Sequence, residues 1–374
     1  MRKPEGAPGM RDRAQPTRAG SPGEIIEMEL AERGWSQRDL AEIMGRPPQA
    51  ISEIIRGVKQ ITPETSLELA QAFGTSAEIW MNMETTYRLQ LARRRSGDGE
   101  SDIATRSRLY GMLPIADLIR RGWLRATSVA DDLERDTRHL LGGDPETMIA
   151  AISLRHSIAR GPERGAQVAW VSRVRQLAHI QEVPPFSRET LTRAIPTIRQ
   201  LASAPEQVAE VPSLLQSFGV RFIIVPQLPR TYIDGVLCDA DSAPIIGLTL
   251  RYDRIDAFWF TLMHELAHLV LGHRTLHLDN LDDKEQRRDA QEMEANQQAR
   301  SWLIDQCALD AWVARTKPSF SRQQIEHFAA TQQIHPGILL GQLMVDETVG
   351  YRHLRGLLSK VSPYLEDWSD PDRH

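Results

Sequence analysis

Hydrophobic spacing changes character several times along the chain, and each change marks a different kind of element. Residues 1–22 show none: Arg2, Lys3, Arg11, Arg13 and Arg18 stand against Glu5 and Asp12 among many Pro and Gly. Such a stretch cannot bury a core and reads as a flexible basic arm, solvated rather than fixed on phosphates. From Gly23 short helices begin. Ile25, Ile26, Met28 and Leu30 form the inner side of the first, which ends near Arg33-Gly34. Ser36 caps a second, Gln37 to Met44, with Leu40, Ala41 and Met44 facing in. Gly45-Arg46-Pro47 turns the chain. Pro48 then opens a third helix, to Arg56, that buries Ile51, Ile54 and Ile55 and leaves Gln49, Ser52, Glu53 and Arg56 outside. Gly57 ends it, Thr62 caps a fourth helix reaching Phe73, and a fifth covers 76–92 ahead of Arg93-Arg-Arg95. Helix, short glycine turn, helix with a polar outer stripe is the helix-turn-helix plan for entering a major groove.

A Gly/Ser/Asp-rich linker follows, and 103–205 returns to helical spacing. Leu109, Leu113, Leu118 and Trp123 mark its first part and Val168, Trp170, Val171, Val174 and Leu177 its second. No reactive constellation appears there, since His139, His156 and His179 are scattered. It reads as a helical connector, with dimerisation or ligand sensing as its open roles. From Val220 strand character takes over, in Val220–Val225, Gly235–Cys238 and Ile245–Leu250. These three short strands lead into an apolar helix ending at Leu271-Gly272, and further helices follow over 289–303 and 319–345. The predicted organisation is a multi-domain α+β protein: arm 1–22, all-α helix-turn-helix bundle 23–95, helical middle 103–205, C-terminal domain with a small sheet 210–345, and tail 346–374.

Composition narrows the class. With 374 residues, 41% hydrophobic and 25% charged, the chain can bury two or three cores, and it has no apolar run long enough to span a membrane. The start lacks a signal-peptide apolar core, so a cytoplasmic protein is expected, on the nucleoid when DNA-bound. Cys238 and Cys307 have no near partner in sequence, which argues against a disulfide framework or a Cys-rich metal site. Net charge of −5 decides nothing by itself. Across 46–59, however, Arg46, Arg56 and Lys59 outweigh Glu53, as a groove-facing surface requires. Glu53 would repel phosphate there unless it reads a cytosine amine or pairs with Arg56.

The strongest chemical signal is Phe258-Trp-Phe-Thr-Leu-Met-His264-Glu265-Leu-Ala-His268. On a helix, four-residue spacing points both imidazoles the same way, which suits two nitrogens binding one tetrahedral Zn²⁺. Glu265 sits one position on and can reach a metal-bound water without being a ligand. This is the H-E-x-x-H arrangement of zinc peptidases. A buried helix with two satisfied histidines is the bland reading, but a carboxylate in so apolar a helix is costly without a partner. Phe258, Trp259 and Phe260 read as core anchors of this helix.

A third protein ligand is needed. Over 289–303 the face carrying Ala295, Ala299, Trp302 and Leu303 turns inward; Glu292 shares its side, whereas Glu294 falls with Gln297, Gln298 and Ser301. The face argument selects Glu292, although a first-turn glutamate also suits the helix dipole without any metal. Asn296, one turn on, is placed to hold a ligand by hydrogen bonding. One zinc per chain follows, lowering the pKa of a bound water towards roughly 7 while Glu265 acts as general base. Tyr232, Tyr252, His273 and His277 are candidates for oxyanion stabilisation, none fixed by spacing. The strands before the His-Glu helix give the α+β core of a zincin, whose sheet edge would bind peptide in extended form.

Two resemblances accompany these readings. His264-Glu-Leu-Ala-His268 followed by Glu292-Met-Glu-Ala-Asn296 resembles the paired motif of ImmA/IrrE-type metallopeptidases over about 210–345. There the first Glu of the second motif is the third zinc ligand. Tyr252-Asp-Arg-Ile-Asp-Ala-Phe-Trp-Phe-Thr-Leu resembles the longer members, which carry a DNA-binding domain in front. One departure is Gln297-Gln-Ala299 where Phe-Ala is usual after the Asn. Over 23–92, Trp35-Ser-Gln-Arg-Asp-Leu-Ala, Ile51-Ser-Glu-Ile-Ile-Arg-Gly57 and Leu69-Ala-Gln-Ala-Phe-Gly-Thr-Ser-Ala-Glu-Ile-Trp80 resemble the Xre-type domain of HigA-like antitoxins. That likeness implies Gln37 on backbone phosphate, Gln49 and Ser52 facing bases, and Arg56 and Lys59 at bases or phosphates, where Gln suits adenine and Arg guanine.

Together they imply a DNA-binding regulator fused to a zinc endopeptidase, controlling phage, mobile-element or toxin–antitoxin genes. Its implied partners are double-stranded operator DNA and a repressor-like substrate or cognate toxin, with a homodimer on DNA. A non-proteolytic antitoxin-like repressor whose zinc fold is structural or ligand-sensing is the alternative. A peptidase whose helix-turn-helix recognises protein is a third. The complete ligand set with Glu265 favours hydrolysis, and the Gln49/Ser52/Arg56 stripe favours DNA.

Overall fold

The structure is a computed structural model that describes residues 20–96, 101–153, 162–238, 243–273, 277–279 and 290–370. Of the expected basic arm, residues 1–19 lie outside the described residues. The chain divides into two units, Met1–Ser101 and Asp102–His374.

In the first unit α1 (Pro22–Arg33) starts at Ser21, which forms a capping box with Glu24. Ser36 does the same with Asp39 for α2 (Gln37–Ile43), where hydrogen bonds from Ser36 hold the Asp39 carboxyl below its ordinary range. Gly45, at φ 61°, makes the turn into α3 (Pro48–Ile55), a left-handed conformation that side chains resist. Thr62 caps α4 (Pro63–Phe73), and α5 (Ala77–Ser96) continues through the arginine run instead of stopping before it. Ile26, Leu30, Leu40, Ile51, Leu69, Phe73 and Trp80 form the shared core. Met28 does not join them. It is 60% exposed, because two residues on from Ile26 a helix presents nearly its opposite face.

The second unit opens with α6 (Asp102–Met112), α7 (Ile115–Arg120), α8 (Ala130–Leu141), α9 (Pro145–Ser153) and α10 (Pro162–Ala178). Then come α11 (Arg188–Gln200), α12 (Val211–Ser217), and the strands β1 (Arg221–Ile224), β2 (Gly235–Cys238) and β3 (Ile245–Leu248). The remainder is α13 (Ile255–Leu271), β4 (His277–Asp279), α14 (Ala290–Leu303), α15 (Gln306–Thr316), α16 (Arg322–Thr331) and α17 (Pro336–Val345). The sheet order is β1-β3-β2-β4. β1 runs parallel to β3, with Phe222 opposite Ile246, and β2 is antiparallel to both β3 and β4. β4, absent from the three strands predicted, supplies the edge beside β2.

Alternation along the strands builds two cores. Phe222, Ile224, Leu237, Ile246 and Leu248 pack with α11, α13 and α17. Ile223, Val225, Val236, Cys238 and Ile245 pack with Leu109, Leu118, Leu133, Trp170 and Val174 from the region 103–178. That region therefore roofs one face of the sheet, and both faces are covered, which explains strands that read as nearly unbroken apolar runs. The tail is equally integral: Leu357, Val361 and Leu365 are buried beside α13's core, and Asp370 meets Arg173 at 2.7 Å and accepts from Trp123 Nε1 at 2.8 Å.

α13 is fixed at both ends. Arg188 Nε donates to the Leu269 carbonyl at 3.0 Å, satisfying a C-terminal acceptor. Ahead of its N-terminus, Asp253 accepts from the Val361 and Ser362 amides and from Ser362 Oγ at 2.8–3.0 Å. Burial pushes the Asp253 carboxyl up, but these bonds outweigh it and hold it below the ordinary carboxylate value.

α17, which packs on α13, is capped by His335: its Nδ1 accepts from the Gly337 amide at 3.0 Å, which requires a neutral ring. Burial lowers the His335 pKa from its ordinary 6.5, with Glu206 opposing in part. A lowered folded value means that the unfolded chain takes up the proton first, so this contribution is whole above about pH 6.5 and is lost as pH falls through the folded value. His335→Asn keeps a cap acceptor that does not titrate. The Tm advantage of wild type over this variant is expected to shrink between pH 7.5 and 5, measured by thermal melts of both; a constant difference would contradict it.

Candidate metal centre and nucleic-acid interface

α13 buries every residue from Thr261 to Leu269, including His264, Glu265 and His268. Glu292, in the first turn of α14, is 6% exposed and shares its face with the buried Ala295 and Ala299. Those alanines keep the facing surface small where α14 packs on α13. The two helices thus bring three donors together: His264 Nε2 lies 2.9 Å from His268 Nε2, 3.2 Å from Glu292 Oε2, and His268 Nε2 lies 3.5 Å from Glu292 Oε1. All three ligand atoms lie within 4.8 Å of one another. Two imidazole nitrogens and one carboxylate, buried and convergent, fit the donor set of a catalytic zinc site with one position left open.

Glu265 stands on the β2 side of the same helix. A Cβ added at Gly235 would lie 2.2 Å from Glu265 Oε1 and 2.8 Å from Thr261 Cγ2. The strand can approach the carboxylate only because position 235 has no side chain. A glycine inside a strand pattern is itself a sign of close backbone approach, and Gly235 is a site residue that the motif reading passed over.

His273, one of the four oxyanion candidates, lies behind His268. The chain leaves α13 at Gly272, and the His273 ring returns to the far side of His268, Nδ1 to Nδ1 at 2.8 Å. His268 can offer Nε2 to a metal only with its proton on Nδ1, so His273 is then the acceptor and carries its own proton on Nε2, 3.6 Å from Glu294 Oε2. Glu294 is 61% exposed, as its helix face predicts, yet it sits behind the centre rather than away from it. Tyr232 and Tyr252 are both well exposed, each with the Arg251 guanidinium over its ring, at 5.4 and 4.9 Å. The His277 side chain lies outside the described residues. Phe258 and Trp259 are core anchors as expected, while Phe260 is half-buried with its ring 6.2 Å from that of His264. Asn296 makes no side-chain hydrogen bond among the described residues. It lines a cavity beside Glu292.

On the first unit Gln37, Gln49, Arg56 and Lys59 are exposed and Ser52 is half-buried. Glu53 is partnered, but by Gln49, whose Nε2 donates to Glu53 Oε1 at 3.0 Å, and not by Arg56. Arg56 Nε turns back to the Ser52 carbonyl at 3.3 Å. Arg46 is occupied by Glu68, Nη2 to Oε1 at 3.1 Å, which removes it from the groove-facing charge.

The helix-turn-helix family matches residues 26–80, and the IrrE N-terminal-like domain matches residues 216–325. Virulence-associated protein I of Dichelobacter nodosus is 40% identical over 74 residues, 20% of this chain and 68% of its own. The uncharacterized HTH-type transcriptional regulator YddM of Escherichia coli K12 is 32% identical over 73 residues, 20% of this chain and 78% of its own. A solved addiction module antidote protein of the HigA family from Coxiella burnetii shares 35% identity over 22% of this chain and 89% of its own, with a TM-score of 0.21. No described helix is long and apolar enough to cross a membrane.

The geometry of the donors makes a graded expectation for metal affinity, read by competition with a chromophoric chelator. Wild type is expected to bind about one zinc per chain. Glu292→Ala should abolish tight binding, and His273→Ala should weaken it about 10–100-fold through the loss of the His268 partner. Glu294→Ala should cost less than either. Tight zinc in Glu292→Ala, or its loss in Glu294→Ala, would overturn the assignment.

Proposed function

Because the chain belongs to the Xre-type helix-turn-helix regulators through its first unit and carries an IrrE-like peptidase domain in its second, we propose that it is a DNA-binding transcription regulator with its own zinc-dependent endopeptidase, acting on a repressor-type protein. The observation that supports hydrolysis is the convergence of His264, His268 and Glu292 beside Glu265 in one buried centre. His264 Nε2, His268 Nε2 and the Glu292 carboxylate would hold the ion. When bound, zinc supplies Lewis acidity to a carbonyl oxygen and makes a water easier to deprotonate.

The protein's own groups do the rest. The Glu265 carboxylate takes the proton of a water attacking the scissile carbonyl and returns it to the departing amine nitrogen. Gly235 lets β2 close on this carboxylate, so its position is restricted before substrate arrives. His273 keeps the His268 ring oriented with Nε2 towards the centre. In the first unit α3 is the recognition helix, presenting Gln49 and Ser52 to base edges, with Arg56 and Lys59 at bases or phosphates and Gln37 on backbone at the start of α2. Gln49 must release Glu53 to pair with a base.

Two experiments test the two halves. Glu265→Gln keeps the size of the side chain and removes the base. Zinc content, folding and DNA affinity are expected to stay normal while cleavage of a repressor-type substrate falls by about 10²–10⁴-fold. Cells carrying Glu265→Gln that regulate normally while His264→Ala cells fail would make zinc structural and the protein a non-proteolytic repressor. For DNA, selection from random duplexes should enrich one sequence, with half-sites a helical turn or a multiple of it apart if two copies bind. Gln49→Ala or Ser52→Ala should relax the preference at single positions. Lys59→Ala should weaken all sequences evenly and lower the salt slope by about 1. No enrichment would favour a protein target for this unit.

A further inference from the structure

A cavity of about 770 Å³ lies beside Glu292, between α13, α14 and α17 and the segment joining β3 to α13. Its size is that of a pocket for a substrate group, with room for more than one side chain. Phe258, Leu303 and Ile338 are buried in its walls, and Ala257 and Phe260 extend the apolar surface towards the centre. Tyr252 and Tyr351, both exposed, stand where it meets solvent.

The arginines and aspartates lining this cavity are paired, Arg251 with Asp234 at 3.7 Å. Arg254 bonds Asp256 at 3.1 and 2.7 Å, and Arg300 meets Asp346 at 2.8 Å. Gln342 Nε2 donates to Gln306 Oε1 at 2.8 Å, and Gln306 Nε2 donates to the Arg300 and Ile304 carbonyls. A charged side chain entering would shed its water and find those counter-charges already taken. A large apolar side chain gains by leaving water. Asn296 is different. It is half-buried on the cavity wall one helical turn from Glu292, and its side-chain amide makes no hydrogen bond among the described residues. An amide offers a donor and an acceptor together, the complement of a peptide backbone.

We propose that this cavity is the specificity pocket of the peptidase centre, taking a large uncharged apolar side chain next to the scissile bond while the Asn296 amide binds the substrate backbone. The inference rests on the endopeptidase reading above and names its substrate class: polypeptide segments with Phe, Leu, Met or Trp at one fixed side of the cut. Ala257 and Phe260 set the width of the pocket. Asn296 is then a binding residue and not a brace for the metal.

The test has a cleavage arm and a binding arm, both on the full chain loaded with zinc. Wild type is incubated with a mixed peptide library and the cut sites are read by mass spectrometry. Zinc-loaded Glu265→Gln is titrated with fluorescent peptides identical except for Phe, Val or Asp at the variable position. Cuts are expected to favour a large apolar residue over Asp by on the order of tenfold or more, with the same order in binding. Ala257→Phe should shift both profiles towards Val. Asn296→Ala should weaken every peptide about tenfold with zinc content unchanged.

Cleavage without an apolar preference, or Phe and Asp peptides bound alike, overturns the pocket and leaves the endopeptidase reading standing. Selective binding with no cleavage by wild type sinks the endopeptidase and keeps the pocket. Neither binding nor cleavage overturns both. Zinc loss in Asn296→Ala returns Asn296 to the metal shell and overturns its assignment to substrate.

Discussion

The second unit is organised around one expensive act, the burial of a glutamate and two histidines inside an apolar helix. Every residue from Thr261 to Leu269 is buried, so bulk water does not solvate Glu265, and the protein must set its surroundings. That requirement propagates outward. β2 approaches the carboxylate through a strand position without a Cβ, and α14 approaches through Ala295 and Ala299 to deliver Glu292. Arg188 satisfies a carbonyl at the helix end, and Asp253 ties the segment before the helix to Val361 and Ser362. Each of these contacts is long-range in sequence. The tail and the helices before the sheet therefore belong to the centre's support.

What could be read without coordinates depended on whether the deciding constraint was local. Caps at Ser36 and Thr62, the inward isoleucines of α3 and the inward direction of Glu292 but not Glu294 all follow from local sequence and helical angles, and the structure places them so. The place of His273 was open in the sequence because its ring direction depends on the turn after Gly272, which spacing does not specify. The region 103–178 showed amphipathic helices and nothing of their partner. The missing clue lay elsewhere, in runs such as Phe222-Ile-Ile-Val225 whose two faces are both apolar and so demand cover on both sides. β4 is three residues long, shorter than any hydropathy window resolves. The cavity belongs to three helices and a loop at once. No single segment announces it.

In the first unit the electrostatic surface differs from a count of charges. Arg46 adds to the sum along 46–59 but is spent on Glu68, and Glu53 subtracts from it but is held by Gln49. On the proposed DNA reading, the Arg46–Glu68 pair bears on charge and the Gln49–Glu53 bond on base contacts. A glutamine already hydrogen-bonded to a neighbouring carboxylate must exchange that bond for one to a base, so the net gain is the difference between two bonds rather than one new bond. Lys59 and Arg56 have no such internal carboxylate partner among the described residues, which leaves their charge available to the phosphates that the proposed function requires, apart from salt screening.

The first turns of α14 show how one short stretch serves different tasks by angle alone. Glu292 and Asn296, four residues apart, share a side, and Glu292 meets the histidines while Asn296 meets the cavity. Glu294 lies between them on the outer side and would seem idle. It is not, because the chain leaving α13 swings His273 around to the same outer side. The carboxylate beside that ring favours a proton on its Nε2, leaving Nδ1 to accept from His268. The same geometry that keeps Glu294 away from His264 and His268 puts it beside His273, whose tautomer bears on His268, and a glutamate on a wet helix face acquires a reason to be there.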